Sequence, residues 1–100
     1  MTFAIDLSKE AIDNLKSFRP YDRHWIRDRL KEELTHQPDT KTRNKKPLLS
    51  ADIPWETTGV VWELRIGEFR VFYEVDRDDN VVLVGAVRHK PPHKTTGEVL

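Results

Sequence analysis

Residues 60–75 constrain the fold more than any other part of the chain. Apolar and polar residues alternate on both sides of Gly67-Glu68, with the two-residue period of half-buried β-strands. A two-residue turn containing glycine is typical of a β-hairpin, and its length sets the strand register. The predicted pairs are Ile66–Phe69, Arg65–Arg70, Leu64–Val71 and Glu63–Phe72. This hairpin should have one apolar face, and Arg65 and Arg70 should lie side by side on the opposite, exposed face.

Apolar patterns elsewhere predict two more strands and two helices. Thr2–Leu7 predicts a short first strand, and Val81–Val87 predicts a central strand covered on both faces. Helical spacing predicts a first helix capped by Ser8 and ended by Arg19-Pro20, then a second from about Asp22 to His36. The expected core is Ile12, Leu15, Ile26, Leu30, Leu34, Trp62, Leu64, Val71 and Tyr73.

These elements indicate an α+β fold. We expect one domain over residues 1–100, since 100 residues leave no room for two cores. A short N-terminal strand would lead into an αα-hairpin and a three-stranded antiparallel meander, with the helices packed on one sheet face. Residues 37–57, rich in Pro, Thr, Lys and Asn, are predicted to form a long loop.

Composition excludes several classes of protein. The chain has no cysteine, so a disulfide framework and a thiolate metal site are both impossible. We expect neither a metal nor a cofactor. No apolar run approaches the roughly 18 residues of a membrane span, and the N-terminus lacks a basic-then-apolar signal. These features predict a cytoplasmic protein without a membrane partner.

Charge is balanced overall but unevenly distributed. The 17 basic and 17 acidic side chains sum to zero, yet residues 41–50 and 88–94 carry bases and no acid. Such basic segments can attract phosphate groups even though the net charge of the molecule is zero. Arginines directly opposite each other destabilise a sheet. One interpretation is an ordinary salt-bridged face, in which Glu63, Glu68 or Glu74 neutralises the two arginines. The other interpretation is that Arg65 and Arg70 together bind an anion.

The basic segment after the last strand adds groups suited to phosphate chemistry. It contains Arg88, Lys90 and Lys94 together with two imidazoles, His89 and His93. Arginine binds phosphate oxygens in a bidentate way, and lysine supplies a point charge. Histidine can give or take a proton near neutral pH. A solvated basic tail would have the same composition, so this alternative stays open.

Three segments together resemble the RelE/ParE family of toxins from type II toxin-antitoxin systems. The hairpin residues 62–73, WELRIGEFRVFY, resemble the family pattern W-x-L-R-x-G-[DE]-[FY]-R-V-x-Y. Residues 42–48, TRNKKPL, resemble a basic loop of one branch, and residues 87–90, VRHK, lie where many members have a Gly-His-Arg or Gly-Lys-Arg element. The order of elements agrees as well, so the resemblance covers most of residues 1–95.

The resemblance implies two activities. RelE-like members cleave mRNA in the ribosomal A site with the RNA's own 2′-hydroxyl as nucleophile, and ParE-like members inhibit DNA gyrase. Carried over by position, Arg70 and Arg65 correspond to phosphate contacts, and Lys90 to a second essential arginine. A C-terminal tyrosine used by some family nucleases has no counterpart. Some nucleases of the family instead use a glutamate base with a histidine acid, which Glu63 and His89 or His93 could supply.

The preferred hypothesis is therefore metal-free, ribosome-dependent mRNA cleavage. Glu63 would accept the 2′-hydroxyl proton, Arg65 and Arg70 would stabilise the phosphate charge, and His89 or His93 would protonate the leaving oxygen. Lys90 completes the predicted catalytic set. The predicted nucleic-acid-binding residues are Arg43, Lys45, Lys46, Arg88 and Lys94.

Partners follow from the same resemblance. We expect an antitoxin protein and, for a nuclease, the ribosome and mRNA. The alternative is a gyrase inhibitor or a non-enzymatic member that binds only its antitoxin.

Overall fold

A computed structural model describes residues 2–49 and 53–100. Within these residues the chain forms five strands and three helices. The elements in chain order are β1 (Ala4–Leu7), α1 (Lys9–Ser17), α2 (Pro20–Leu34), β2 (Lys45–Leu48), β3 (Val61–Ile66), β4 (Phe69–Asp76), β5 (Val81–His89) and α3 (Thr96–Val99). None of the described helices is long and apolar enough to cross a membrane.

The strands form one sheet in the order β1-β5-β4-β3-β2. Strand β1 runs parallel to β5, and the other neighbours are antiparallel. The expected α+β fold, with a short first strand, two helices and an antiparallel meander, is confirmed. The meander has an additional edge strand, β2, inside the segment that was predicted to be a loop. Its sequence, KKPL, lacks an alternating pattern, and proline is tolerated there because β2 lies at a sheet edge.

The register of the hairpin is as predicted. Arg65 lies opposite Arg70, and the other three predicted pairs also form. Gly67 in the connecting turn has φ +56°, a left-handed conformation that glycine adopts without steric cost. A side chain there would also meet the Trp25 indole, since an added Cβ would lie 2.7 Å from Trp25 Cη2. The turn therefore requires glycine for both conformation and packing.

Both predicted helices form, with shifted ends. The Ser8 hydroxyl accepts a hydrogen bond from the backbone N–H of Ala11, which confirms the predicted cap. Helix α2 begins at Pro20, two residues earlier than predicted, because proline suits the first helical position. The N-cap residue Arg19 makes no side-chain cap hydrogen bond, and it forms an ion pair with Asp22 of the first turn at 3.0 Å. The helix ends at Leu34, short of His36.

The main apolar core lies between the sheet and the two helices. Of the predicted core residues, Ile12 and Trp62 are half-buried and the others are buried. A second, smaller cluster lies on the opposite sheet face and centres on Val61, Phe72 and Ala86. The end of β2 and segments outside the sheet cover this cluster in part. The half-buried side chains packed on it are Leu48, Ile53, Trp55 and Leu100.

Candidate functional site

Beside the smaller apolar cluster lies a polar cleft of about 240 Å³. Alternation along β3 turns Glu63 and Arg65 toward this face, while Leu64 and Ile66 enter the main core. On β4, Arg70 lies on the same face as its partner Arg65. The residues that line the cleft are Arg43, Asn44, Lys46, Glu63, Arg65, Arg70, Lys90 and Thr96. Six of the eleven predicted site residues therefore lie together.

Glu63 is a buried carboxylate surrounded by donors and cations. It is 4% exposed. Its Oε2 accepts a hydrogen bond from the Thr96 hydroxyl at 2.6 Å. Lys46, its direct partner across the β2–β3 pair, places Nζ 3.6 Å from Oε1, and Arg70 Nε lies 3.8 Å from Oε2. A buried carboxylate needs such partners, and here it neutralises part of the cationic cleft.

Arg70 is buried, in contrast to the predicted exposed position. It is 7% exposed, because β4 lies between β3 and β5 and the neighbouring side chains flank it on both sides. Its Nη1 donates to the carbonyl oxygens of Gly67 and Phe69, each at 2.8 Å. Desolvation lowers the pKa of the Arg70 guanidinium, partly opposed by Glu63, while Arg65 lowers this pKa further. Arg65 itself is exposed, as predicted. The guanidinium of Arg70 is thus held in place before any ligand arrives.

His89 lies on the other side of the sheet from the cleft. It pairs with Phe69, whose ring belongs to the main core, and the two ring centroids are 5.4 Å apart. Its Nε2 lies 4.0 Å from Glu68. Successive residues of extended chain point to opposite faces, so Lys90, directly after the end of β5, reaches the cleft while His89 faces away from it. The predicted role of His89 as the proton donor in the cleft does not fit this position.

His93 also lies outside the cleft. It is exposed in the segment between β5 and α3 and is not among the lining residues. The part of the chain that the structure describes thus supplies no histidine to the cleft wall. The predicted pair of a Glu63 base with a histidine acid is therefore not formed in the cleft.

Three predicted nucleic-acid-binding residues have other contacts. Lys45 faces the main core beside Leu64, and its Nζ donates to the carbonyls of Glu33 and Gln37 at 2.9 and 2.8 Å. The Arg88 guanidinium reaches α1, where it donates to Asn14 and Glu10 at 2.7 and 2.9 Å. Lys94 lies 3.8 Å from Glu98. The contacts of Lys45 and Arg88 therefore stabilise the fold, and neither residue lines the cleft.

Two residues that line the cleft, Asn44 and Thr96, were not predicted from the sequence. Asn44 lines the cleft, and its carbonyl accepts a hydrogen bond from the backbone N–H of Arg65 at 2.8 Å. Thr96 reaches it from α3. The pattern Thr95-x-x-Glu98 is a capping box, a local signal that could have indicated this short helix. No local pattern could show that the helix lies against Glu63.

The fold resembles that of solved toxins. The toxin–antitoxin complex RelBE2 of Mycobacterium tuberculosis contains a chain that aligns with a TM-score of 0.68 and 20% identity, over 90% of this chain and 100% of that chain. The archaeal RelE–RelB complex of Pyrococcus horikoshii OT3 gives a TM-score of 0.63 and 23% identity, over 95% and 100%. A mutant of E. coli RelE in the free state gives 0.55 and 18%, over 90% and 84%.

Sequence comparison identifies the family. No curated protein sequence matches this chain significantly. The family model described as the ParE toxin of the type II toxin-antitoxin system, parDE, matches residues 5–90. Since this match spans well over half of the chain, the protein belongs to the ParE toxin family and is a type II toxin of the RelE/ParE superfamily.

Proposed function

We propose that this toxin cleaves mRNA on the ribosome, with the scissile phosphate bound in the polar cleft. One observation carries the proposal: five cationic side chains surround a single carboxylate in a space of about 240 Å³. An RNA phosphate brings negative charge, and its neighbouring 2′-hydroxyl brings a proton that a carboxylate can accept. A surface salt bridge would need neither this excess of cations nor a concave site.

Arg70 and Arg65 would stabilise the charge that develops on the phosphate. The two carbonyl contacts of Arg70 fix its guanidinium, so little reorganisation is needed when the substrate binds. Arg65 is exposed and can approach a second phosphate oxygen. Arg43 and Lys46 would bind the flanking phosphates.

Glu63 would act as the base and Lys90 as the acid. The 2′-oxygen forms a bond to phosphorus as Glu63 takes its proton, and the bond from phosphorus to the 5′-oxygen breaks. We assign protonation of the 5′-oxygen to Lys90, because it lies in the cleft and His89 does not. The ribosome would present the RNA in a conformation in which the 2′-oxygen is aligned with the leaving oxygen.

Cleavage of ribosome-bound mRNA tests the proposal. We expect the toxin to cut mRNA within the reading frame, and to spare the same mRNA carrying a 2′-O-methyl group at the cleavage position. Lys90→Ala should slow cutting by about 10- to 100-fold, the loss expected for a general acid. Lys41→Ala removes the same charge from an exposed position outside the cleft and serves as the matched control. Cutting of the methylated RNA at the normal rate would contradict the mechanism.

Inhibition of DNA gyrase without cleavage is the second candidate. It is favoured by the engagement of Glu63 with Thr96, Lys46 and Arg70, because a base must be free to accept a proton. The ParE family match is consistent with it. This candidate predicts intact mRNA and impaired DNA supercoiling. A protein that affects neither would be a binding partner of its antitoxin alone.

An antitoxin segment is the proposed protein partner, since solved relatives are complexes of a toxin with an antitoxin. We expect an acidic segment to cover the cleft and its binding to weaken by about tenfold or more between 0.1 and 1 M salt, as the screening length falls from about 10 to 3 Å. Calorimetry at several salt concentrations measures this. Lys46→Ala should flatten the salt dependence, and Lys41→Ala should leave it less changed. Tight, salt-insensitive binding would contradict an electrostatic interface.

A further inference from the structure

Residues 95–100 form a compact turn that we name the covering turn. The Thr95 hydroxyl accepts a hydrogen bond from the backbone N–H of Glu98 at 3.3 Å, and the Glu98 carboxylate accepts one from the backbone N–H of Thr95 at 2.9 Å. This reciprocal capping box satisfies two backbone N–H groups of the helical turn α3 with partners inside the turn itself. The turn can therefore move as a unit.

Two contacts attach the covering turn to the sheet. At one end, the Thr96 hydroxyl donates to Glu63 Oε2 at 2.6 Å and lines the polar cleft. At the other end, Leu100 packs against the apolar cluster around Phe72. A hydrogen bond to a buried carboxylate is worth more than one between neutral groups. The turn thus lies over the side of the sheet that carries Glu63 and Arg70.

We propose that the covering turn is a self-inhibiting lid over the phosphate cleft. This inference rests on the proposed function, since it concerns access to the same cleft. With the lid closed, the Thr96 hydroxyl donates its hydrogen bond to Glu63 Oε2, the same oxygen that faces Arg70. The side chains of Glu63 and Arg70 are both nearly inaccessible to solvent in this state. Thr96 forms part of the cleft wall beside Glu63 and Arg70, so its departure would widen the approach of a phosphate to the Arg70 guanidinium. Closure therefore lowers the apparent affinity of the cleft for phosphate groups.

The lid can open at little cost to the fold. Helix α3 has four residues and none of them is buried, and no residue of the covering turn belongs to the main core. Segments with few buried contacts open locally long before the protein unfolds. The apparent affinity of the cleft equals its affinity in the open state multiplied by the fraction of molecules that are open. A partner that moves the turn would raise this fraction.

Binding of inorganic pyrophosphate measures access to the cleft independently of RNA cleavage. We would compare four proteins by calorimetry: the full chain, Thr96→Val, Thr96→Ser and a chain that ends at Lys94. Thr96→Val keeps the shape of the side chain but removes the donor to Glu63, so it should bind pyrophosphate about tenfold more tightly. Thr96→Ser keeps the hydroxyl and should match the full chain. The shortened chain should bind at least as tightly as Thr96→Val.

The outcomes separate the lid from the proposed activity. Tighter pyrophosphate binding by Thr96→Val and by the shortened chain supports the lid even if no variant cleaves RNA. Equal binding by all four proteins, or no binding by any, overturns the lid even if the full chain cleaves RNA. Thermal melting confirms that each variant is folded. If either Thr96→Val or the shortened chain does not fold, the comparison rests on the one that does. The two perturb the turn differently, since Thr96→Val removes a hydroxyl and the shortened chain lacks the whole turn.

Discussion

Replacing Arg70 by alanine is expected to lower the rate of RNA cleavage about 100- to 1000-fold, the loss typical of one preorganised charge donor. It should also reduce the free energy of unfolding by about 1–3 kcal/mol. The second effect follows from burial: Glu63 would lose its buried counter-ion, and the carbonyls of Gly67 and Phe69 would lose a donor. Lys46 and Thr96 still contact Glu63, which keeps the loss moderate. Urea unfolding and single-turnover cleavage measure the two effects separately.

Two further variants distinguish chemistry from stability. The double variant Glu63→Gln with Arg70→Ala also removes the carboxylate charge that has lost its guanidinium partner, so it should regain part of the lost stability and none of the activity. Arg65→Ala changes an exposed guanidinium, so it should lower cleavage while the free energy of unfolding changes by less than about 0.5 kcal/mol. Full cleavage by a folded Arg70→Ala protein would contradict the assigned role.

Phe72→Ala is expected to cost about 3–5 kcal/mol of folding stability, the range for deleting a buried aromatic ring. Phe72 is 0% exposed and lies at the centre of the smaller apolar cluster, 6.0 Å from the ring of Trp55. A small domain has only about 5–15 kcal/mol in total, so this substitution should remove a large share of it. Chemical denaturation followed by tryptophan fluorescence gives the difference.

Leu83→Ala is the matched control for this cluster. Leu83 lies on β5 and is 42% exposed, so its truncation should cost well under half as much. A loss below about 1 kcal/mol for Phe72→Ala would show that the second cluster contributes little to the core. The cluster also anchors Leu100, so Phe72→Ala should loosen the covering turn.

Local sequence was sufficient for the hairpin and for most of the site on it. Alternation on each side of Gly67-Glu68 determines which side chains share a face, and the short turn leaves one register. The neighbourhood of Arg65 and Arg70 could therefore be predicted without knowledge of the rest of the fold. The capped first helix was predictable for the same reason, since Ser8 and its bonding partner are three residues apart.

Tertiary structure decided the features that depend on residues distant in sequence. Arg70 is buried because β4 has neighbours on both sides, and Lys45 is buried because β2 places it against the end of α2. The extension of β5 through His89 turns that imidazole to the helix side.

The sequence by itself determined four of the five strands, the first two helices and the pairing of the two arginines, because the signals for these lie in residues close along the chain. It did not indicate β2, which lacks an alternating pattern. Tertiary structure alone brought Thr96 to Glu63, 33 positions away, and thereby placed its hydroxyl in the wall of the cleft. Burial and long-range contact depend on how the elements pack, which the periodicity of one segment does not specify.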